Sequence, residues 1–346
     1  MTDEVLLSPL GHDVLLTHFL LYGAAAIAEA AGHRDVRMMW TTSLRPAPLL
    51  RGVSLEELAA AVSRHATAAL DDQHWIQTDL PGTPGRGLFS PRIGRVGDRA
   101  AWENLQRHRH TGLDDVAAQA RFLDLRLIAA LGEPSYWRVN RKGELLQDDG
   151  ASRFEMQPRN QGSEFVGTRL RALAATVAAR SEADVSQGLA GLRTRDEAGK
   201  DKPDSRSAAG LRSPAVTDNA VAWVAMWGIA QSVVALRAHE RGRTAAHVPM
   251  TDRESQWRDG HFAVPLWTGG WTTARLRNVL SSRNLLEGAQ AATRQSTEED
   301  HVGGAHDQWL REHTVSHLVV FPVGRFGSAS APERRASTGL TAGLEA

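Results

Sequence analysis

Three groups of residues have the types and spacing to do chemistry, and in each case the chemistry is the holding of an anion. Arg159, Asn160 and Gln161 stand in a polar turn, 157–162, directly ahead of Ser163. Ser163 is a helix-capping residue, and Phe165, Val166, Leu170, Leu173, Ala174 and Val177 follow it at helical spacing. A helix start carries free amides and a partial positive charge, so this turn is placed to hold a phosphate, such as one in a nucleic-acid backbone. An ordinary capped connection with solvated polar groups has the same sequence pattern. The second group is Arg86, Arg92 and Arg95, spread through a Gly/Pro-dense stretch, 78–100, that reads as a long loop with a hairpin near 89–96. The third is Arg275, Arg277 and Arg283, expected to line one face of a basic helix, 274–282. Asn and Gln also pair with adenine, and Arg with guanine, where such groups enter a major groove.

Catalytic arrangements are harder to find. Residues 162–169 (GSEFVGTR) resemble a phosphate loop, but Thr168 stands where the essential lysine belongs and Arg169 where the hydroxyl belongs. His12-Asp13 and His306-Asp307 are dipeptides of the kind that ligate metals in phosphohydrolases, with His18, His313 and His317 as further donors. His313 and His317 are four apart, but Thr314 replaces the glutamate of a zinc-protease helix. The acidic pairs Asp71-Asp72, Asp114-Asp115 and Asp148-Asp149 have neighbouring side chains that diverge, which suits solvation or capping. Nothing here sets up a nucleophile with its base, so the residues predict no enzyme, no metal and no cofactor.

The elements that must position these groups are mixed. Apolar runs predict a strand over 4–10, a buried helix over 14–31, a strand over 36–42, and a helix over 55–69 capped by Ser54 with Glu57 in a capping box. One helix is expected over 114–131 and a hairpin from 136–139 and 143–147. The most apolar stretch, 220–237, predicts a helix buried nearly all round, with Trp223 and Trp227 as core rather than a stacking platform. Strands are expected at 262–267 and 317–323. This gives an α+β fold of short strands and medium helices around a Trp-rich helix. Residues 1–185 read as an N-terminal α/β region and 186–219 as an exposed loop or linker. Residues 220–327 read as a C-terminal α+β region, and 328–346 as a tail without structure.

Composition bounds the partners. The 346 residues carry 40 basic and 40 acidic side chains, so bulk attraction to nucleic acid or membrane is not expected and only local patches would act. Lysine occurs only at Lys142, Lys200 and Lys202; every other basic residue is arginine, whose fork suits phosphate, although a GC-rich genome gives the same bias. With no cysteine, disulfides, thiolate metal sites and thiol nucleophiles are excluded. The acidic N-terminus and the absence of a secretory pattern predict a cytoplasmic protein.

Five blocks together carry a resemblance: 8–27 (SPLGHDVLLTHFLLYGAAAI), 154–170 (FEMQPRNQGSEFVGTRL), 199–211 (GKDKPDSRSAAGL), 217–230 (TDNAVAWVAMWGIA) and 262–280 (FAVPLWTGGWTTARLRNVL). The chain resembles the subtype-specific, large-subunit-like proteins of type I-U (also called I-G) CRISPR loci. The resemblance implies a non-enzymatic component of an RNA-guided antiviral defence complex, with other effector subunits and guide RNA or target DNA as partners. In such systems base pairing reads sequence, while protein groups read shape, backbone and a short motif. The neutral charge departs from a lone nucleic-acid binder and implies that much of the surface meets protein. A protein-only structural accessory is the alternative, and a metal-dependent phosphohydrolase built on His12, Asp13, His306 and Asp307 is a third reading.

Overall fold

The computed structural model describes residues 4–7, 10–90, 98–133, 138–139, 145–146, 152, 165–199, 201–203, 211, 214–237, 240–249, 260–294, 304–328 and 331–344. It is an α+β fold, as the alternation of short apolar runs predicts. The first half contains β1 (Glu4–Leu6), α1 (Leu15–Ala30), β2 (Arg37–Trp40), β3 (Pro48–Arg51), α2 (Leu55–Ala68), β4 (Asp79–Leu80), β5 (Thr83–Gly87), α3 (Arg99–Ala118), α4 (Phe122–Leu131), β6 (Arg138–Val139) and β7 (Leu145–Leu146). A π-helical segment, Phe165–Leu170, runs into α5 (Arg171–Ala178), followed by α6 (Glu182–Leu189) and α7 (Asn219–Gly228). Then come β8 (Val234–Arg237), β9 (Glu240–Thr244), β10 (His247–Pro249), β11 (Gly260–Trp267), α8 (Thr273–Leu280), α9 (Arg283–Arg294), α10 (Ala305–Glu312), β12 (Val315–Ser328), β13 (Ala331–Ala336) and β14 (Leu340–Gly343).

Helix α1 is the centre of the molecule. It is buried from Leu15 to Ala28 on every side, as its mostly apolar sequence favours, and Thr17 and His18 are buried with it. It crosses α7 so closely that each helix presents a glycine to the other's backbone. A Cβ at Gly23 would lie 1.8 Å from the Val224 carbonyl oxygen, and one at Gly228 would lie 2.1 Å from that of Phe19. Around the crossing, Trp223 and Trp227 are fully buried core, as expected. A second aromatic group joins the sheets: Trp267 stacks on Trp271 at 4.5 Å and meets Trp40 edge-on at 6.0 Å. The backbones of Met38 and Trp271 exchange hydrogen bonds of 2.8 and 2.9 Å, which ties β2 to the loop ahead of α8. No helix among the described residues is long and apolar enough to cross a membrane.

Several boundaries differ from the sequence expectation, each for a local reason. The helix expected over 220–237 ends at Gly228; a 3-10 turn, Ile229–Gln231, follows, and Val233-Val234 passes into β8. β-branched valines favour that extended state, and β9 supplies the partner strand. The single helix expected over 114–131 is two, broken where Ala120 takes φ 54°, with no Gly or Pro to mark the turn. Pro48 begins β3, a strand not expected from the sequence, and β3 lies between β1 and β2 in an antiparallel order β1-β3-β2. The hairpin of the Gly-rich stretch is β4–β5, with Gly82 and Gly85 at positive φ, while 91–97 lies outside the described residues. Ser54 and Glu57 form the expected capping box.

Two stretches expected to lack structure contain it. Within 328–346, β13 pairs with Val323–Ser328 and β14 with His317–Val320. These are edge strands held by backbone bonds to the long β12, so they need no apolar pattern of their own. Within 186–219, the first residues complete α6, and Asp196, Leu211 and Asn219 are buried. What orders this part is polar. Arg180 donates to the Asp218 carboxylate (2.8 Å) and the Arg195 carbonyl (2.7 Å), and Asn219 donates to Asp196 (2.8 Å).

Candidate nucleic-acid interface

Helix α8 is capped by Thr272, whose hydroxyl accepts from the Arg275 amide. The basic helix predicted from sequence is present, but its arginines do not share a face. Arg275 and Arg277 are two apart, which on a helix puts them on different sides. Arg275 lies 4.9 Å over the Trp271 ring and donates to the His313 carbonyl at 2.6 Å. Arg277 turns inward and donates to Gln231 at 2.7 Å. Burial pulls the Arg277 pKa down, nearby Arg126 adds to this, and Glu29 partly offsets it. Arg283, the first residue of α9, is exposed and pairs with Glu287 four residues on, at 3.1 Å. Of the three, Arg283 is the most exposed, with 82% of its side chain open to solvent.

Arg86 is half-buried on β5. Its hairpin is pressed onto the π-helical segment. A Cβ at Gly167 would meet the Gly85 carbonyl oxygen at 2.2 Å, and one at Gly87 would meet Val166. Arg171, on the same helical run, fastens the hairpin by donating to the Ile76 carbonyl (2.7 Å) and to Asp79 (2.6 Å). The fold therefore brings the Arg86 hairpin against the helical segment that begins at Phe165. Arg159, Asn160, Gln161, Ser163, Arg92 and Arg95 lie outside the described residues.

His12 bonds Thr341 of β14 (3.1 Å), and His306 bonds Asn284 (2.8 Å). Among the described residues no three His, Asp or Glu side chains are grouped as a metal ion needs.

One arrangement escaped sequence reading. A cavity of about 430 Å3 lies between α1, α2 and the turn into α4, with Glu29, His65, Arg121, Phe122, Asp124 and Arg126 among its walls. Beneath it, Asp124 accepts from the Trp75 indole (2.5 Å) and faces His74 Nε2 at 3.1 Å. Burial alone would raise the Asp124 carboxyl, but His74, His65 and Trp75 outweigh it and hold it below its ordinary value. His65 packs edge-on against Trp227 at 4.3 Å. These side chains come from three elements far apart in sequence, so no local motif announces them.

Burial pushes His65 down to about 4, despite the pull of Asp124, and pushes His18 down to about 3 against the opposing hydrogen bond to the His12 carbonyl. In the unfolded chain both imidazoles take up a proton near pH ~6.5. Below that pH the unfolded state binds more protons, so stability falls as the pH drops from about 6.5 towards the folded values. The loss is expected to be on the order of several kcal/mol. Urea melts at neutral pH and at mildly acid pH check this. A midpoint that holds steady between them contradicts it, and His18→Phe is expected to blunt the acid loss.

A scan against protein-family models finds no match for the chain, and a search of curated proteins finds none either.

Proposed function

We propose that this chain is a non-catalytic subunit of a type I-U (I-G) RNA-guided CRISPR interference complex in the cytoplasm, contacting nucleic-acid backbone through local arginine patches and other subunits through the rest of its surface. The reading rests on the five resembling blocks. Three of them, far apart in sequence, form the centre of the molecule: α1 crosses α7, and Trp267 and Trp271 of the fifth block stack beside Trp40. The geometric support for a backbone contact is the Arg86 hairpin pressed on the helix that follows Ser163. Guide–target pairing would read sequence, leaving the protein to read shape and phosphates.

A second reading, a subunit that binds only protein, is favoured by the arginines of the third patch. Arg275 and Arg277 spend their donors inside the protein, and Arg283 is already paired. The two readings separate in an electrophoretic binding assay. Arg159→Ala combined with Asn160→Ala is expected to weaken DNA or RNA binding about tenfold, on the scale of a lost charge-assisted hydrogen bond. Arg283→Ala is expected to change it little. Unchanged binding in the first variant removes that patch from the interface.

A further inference from the structure

We propose that the cavity between the β8–β9 hairpin, β10 and the turn from α8 to α9 binds a small amphipathic carboxylate, with its apolar body among the aliphatic walls and its head group on Arg283. The site does not rest on the nucleic-acid reading, and its fate does not depend on it.

The cavity follows from a kink in the chain. Only Ala245 and Ala246 separate β9 from β10. Ala246 takes φ 65°, a conformation that residues with a side chain rarely adopt. Its amide reaches the Leu280 carbonyl at the end of α8 (3.3 Å), and its carbonyl receives the Ala263 amide of β11 (2.8 Å). The β8–β9 hairpin forms a two-stranded sheet of its own, apart from the sheet of β10 and β11. A volume of about 480 Å3 lies between the hairpin, β10 and the α8–α9 turn. Packed interiors hold few voids larger than a water molecule, and backbone strain of the Ala246 kind clusters at ligand sites.

The walls define what fits. Val233, Val234, Ala263, Leu280, Leu285 and Leu286 make them largely aliphatic. The polar groups of the turn are engaged within the protein: the Ser282 hydroxyl donates to the Val279 carbonyl (2.8 Å) and accepts from the Leu285 amide (3.1 Å). A cavity of ~150 Å3 already takes a benzene ring, so this one has room for a body on the order of ten carbons. No Asp or Glu is among the described residues that line it, and Arg283 is the one permanently charged side chain there. Val233 and Arg283, both exposed, mark the mouth. Glu287 takes the Arg283 Nε–H at 3.1 Å, and the terminal amino groups of Arg283 make no hydrogen bond among the described residues. An exposed ion pair of this kind holds its partners weakly, so the guanidinium fork stays open to a second carboxylate. Largely apolar walls with one well-placed charge are the pattern of small-molecule pockets.

Calorimetric titration of the full chain at neutral pH tests this with decanoate and with decan-1-ol, which has the same chain and no charge. Decanoate is expected to bind one to one and about tenfold more tightly than the alcohol, on the scale of a charge-assisted hydrogen bond. Arg283→Gln is expected to bring decanoate down to the level of the alcohol while leaving the alcohol unchanged. Ala245→Phe, at a half-buried position on the wall, is expected to fill the cavity and abolish binding of both. Circular dichroism verifies that the variants are folded; should Ala245→Phe fail to fold, the exposed Arg283→Gln decides alone. No heat with decanoate, acid and alcohol bound equally by the parent, or decanoate binding unchanged in either folded variant overturns the proposal.

Discussion

Gly228→Ala is expected to destabilise the fold severely. Two effects compete. Alanine in a helix interior is favoured over glycine by about 1 kcal/mol. Against this, the new methyl would lie 2.1 Å from the Phe19 carbonyl oxygen and 2.8 Å from its carbon. Both are backbone atoms of α1, so no rotamer change relieves the contact. The two helices would have to separate, and the whole of α7 and nearly the whole of α1 are core. Overpacking of flexible side chains already costs ~1–3 kcal/mol. A backbone collision at the central crossing is expected to cost more than ~3 kcal/mol out of a typical total of ~5–15. Gly23→Ala meets the Val224 carbonyl in the same way and is expected to behave alike. Urea unfolding followed by tryptophan fluorescence reads the result directly. A midpoint within the equivalent of ~1 kcal/mol of the parent would mean that the helices do not cross this closely.

The second large effect is expected from Arg180→Ala. The Arg180 side chain is 3% exposed and the Asp218 side chain 4%. Burial would lower the Arg180 pKa, but Glu197 and Asp218 outweigh it and raise it, so the guanidinium is firmly charged. Asp218 also caps α7 through the Ala220 amide (2.7 Å) and receives the Arg195 amide (2.9 Å). Removing the arginine leaves that carboxylate buried without its cation, which costs ~3–5 kcal/mol. The double variant Arg180→Ala, Asp218→Asn is expected to recover part of the loss, because asparagine keeps a capping oxygen and carries no charge. A single variant as stable as the parent would show that the segment between α6 and α7 is not held by this clamp.

The same two contacts show what a reader of the sequence can and cannot see. The apolar runs of α1 and α7 announce burial, and both are core. Gly23 and Gly228 do not announce a crossing, because a glycine in an apolar helix is silent until its neighbour is known. Hydrophobic patterning missed the Arg180 clamp because charge-assisted bonds, not apolar surface, order the residues around 195–199. It missed β13 and β14 for a related reason: an edge strand on β12 is defined by backbone pairing. On α8, the arginines were visible as a basic run, but the run conceals a Trp271 partner for Arg275 and a Gln231 partner for Arg277. The α4 cavity was invisible because Glu29, His65 and Arg126 converge only in three dimensions.

The central claim is that this neutral chain meets nucleic acid through local patches of arginine. It is tested most directly by fluorescence anisotropy of the purified chain with duplex DNA, single-stranded DNA and RNA across a salt series. Phosphate contacts release counterions, so the logarithm of affinity is predicted to fall linearly with the logarithm of salt, with a slope of about −0.7 to −0.9 per contact. A slope of about −1.4 to −3.6 is the expected outcome for patches of two to four arginines, on the order of one contact each. Absence of binding at the lowest salt, or binding indifferent to salt, would contradict the claim and leave a subunit that meets only protein.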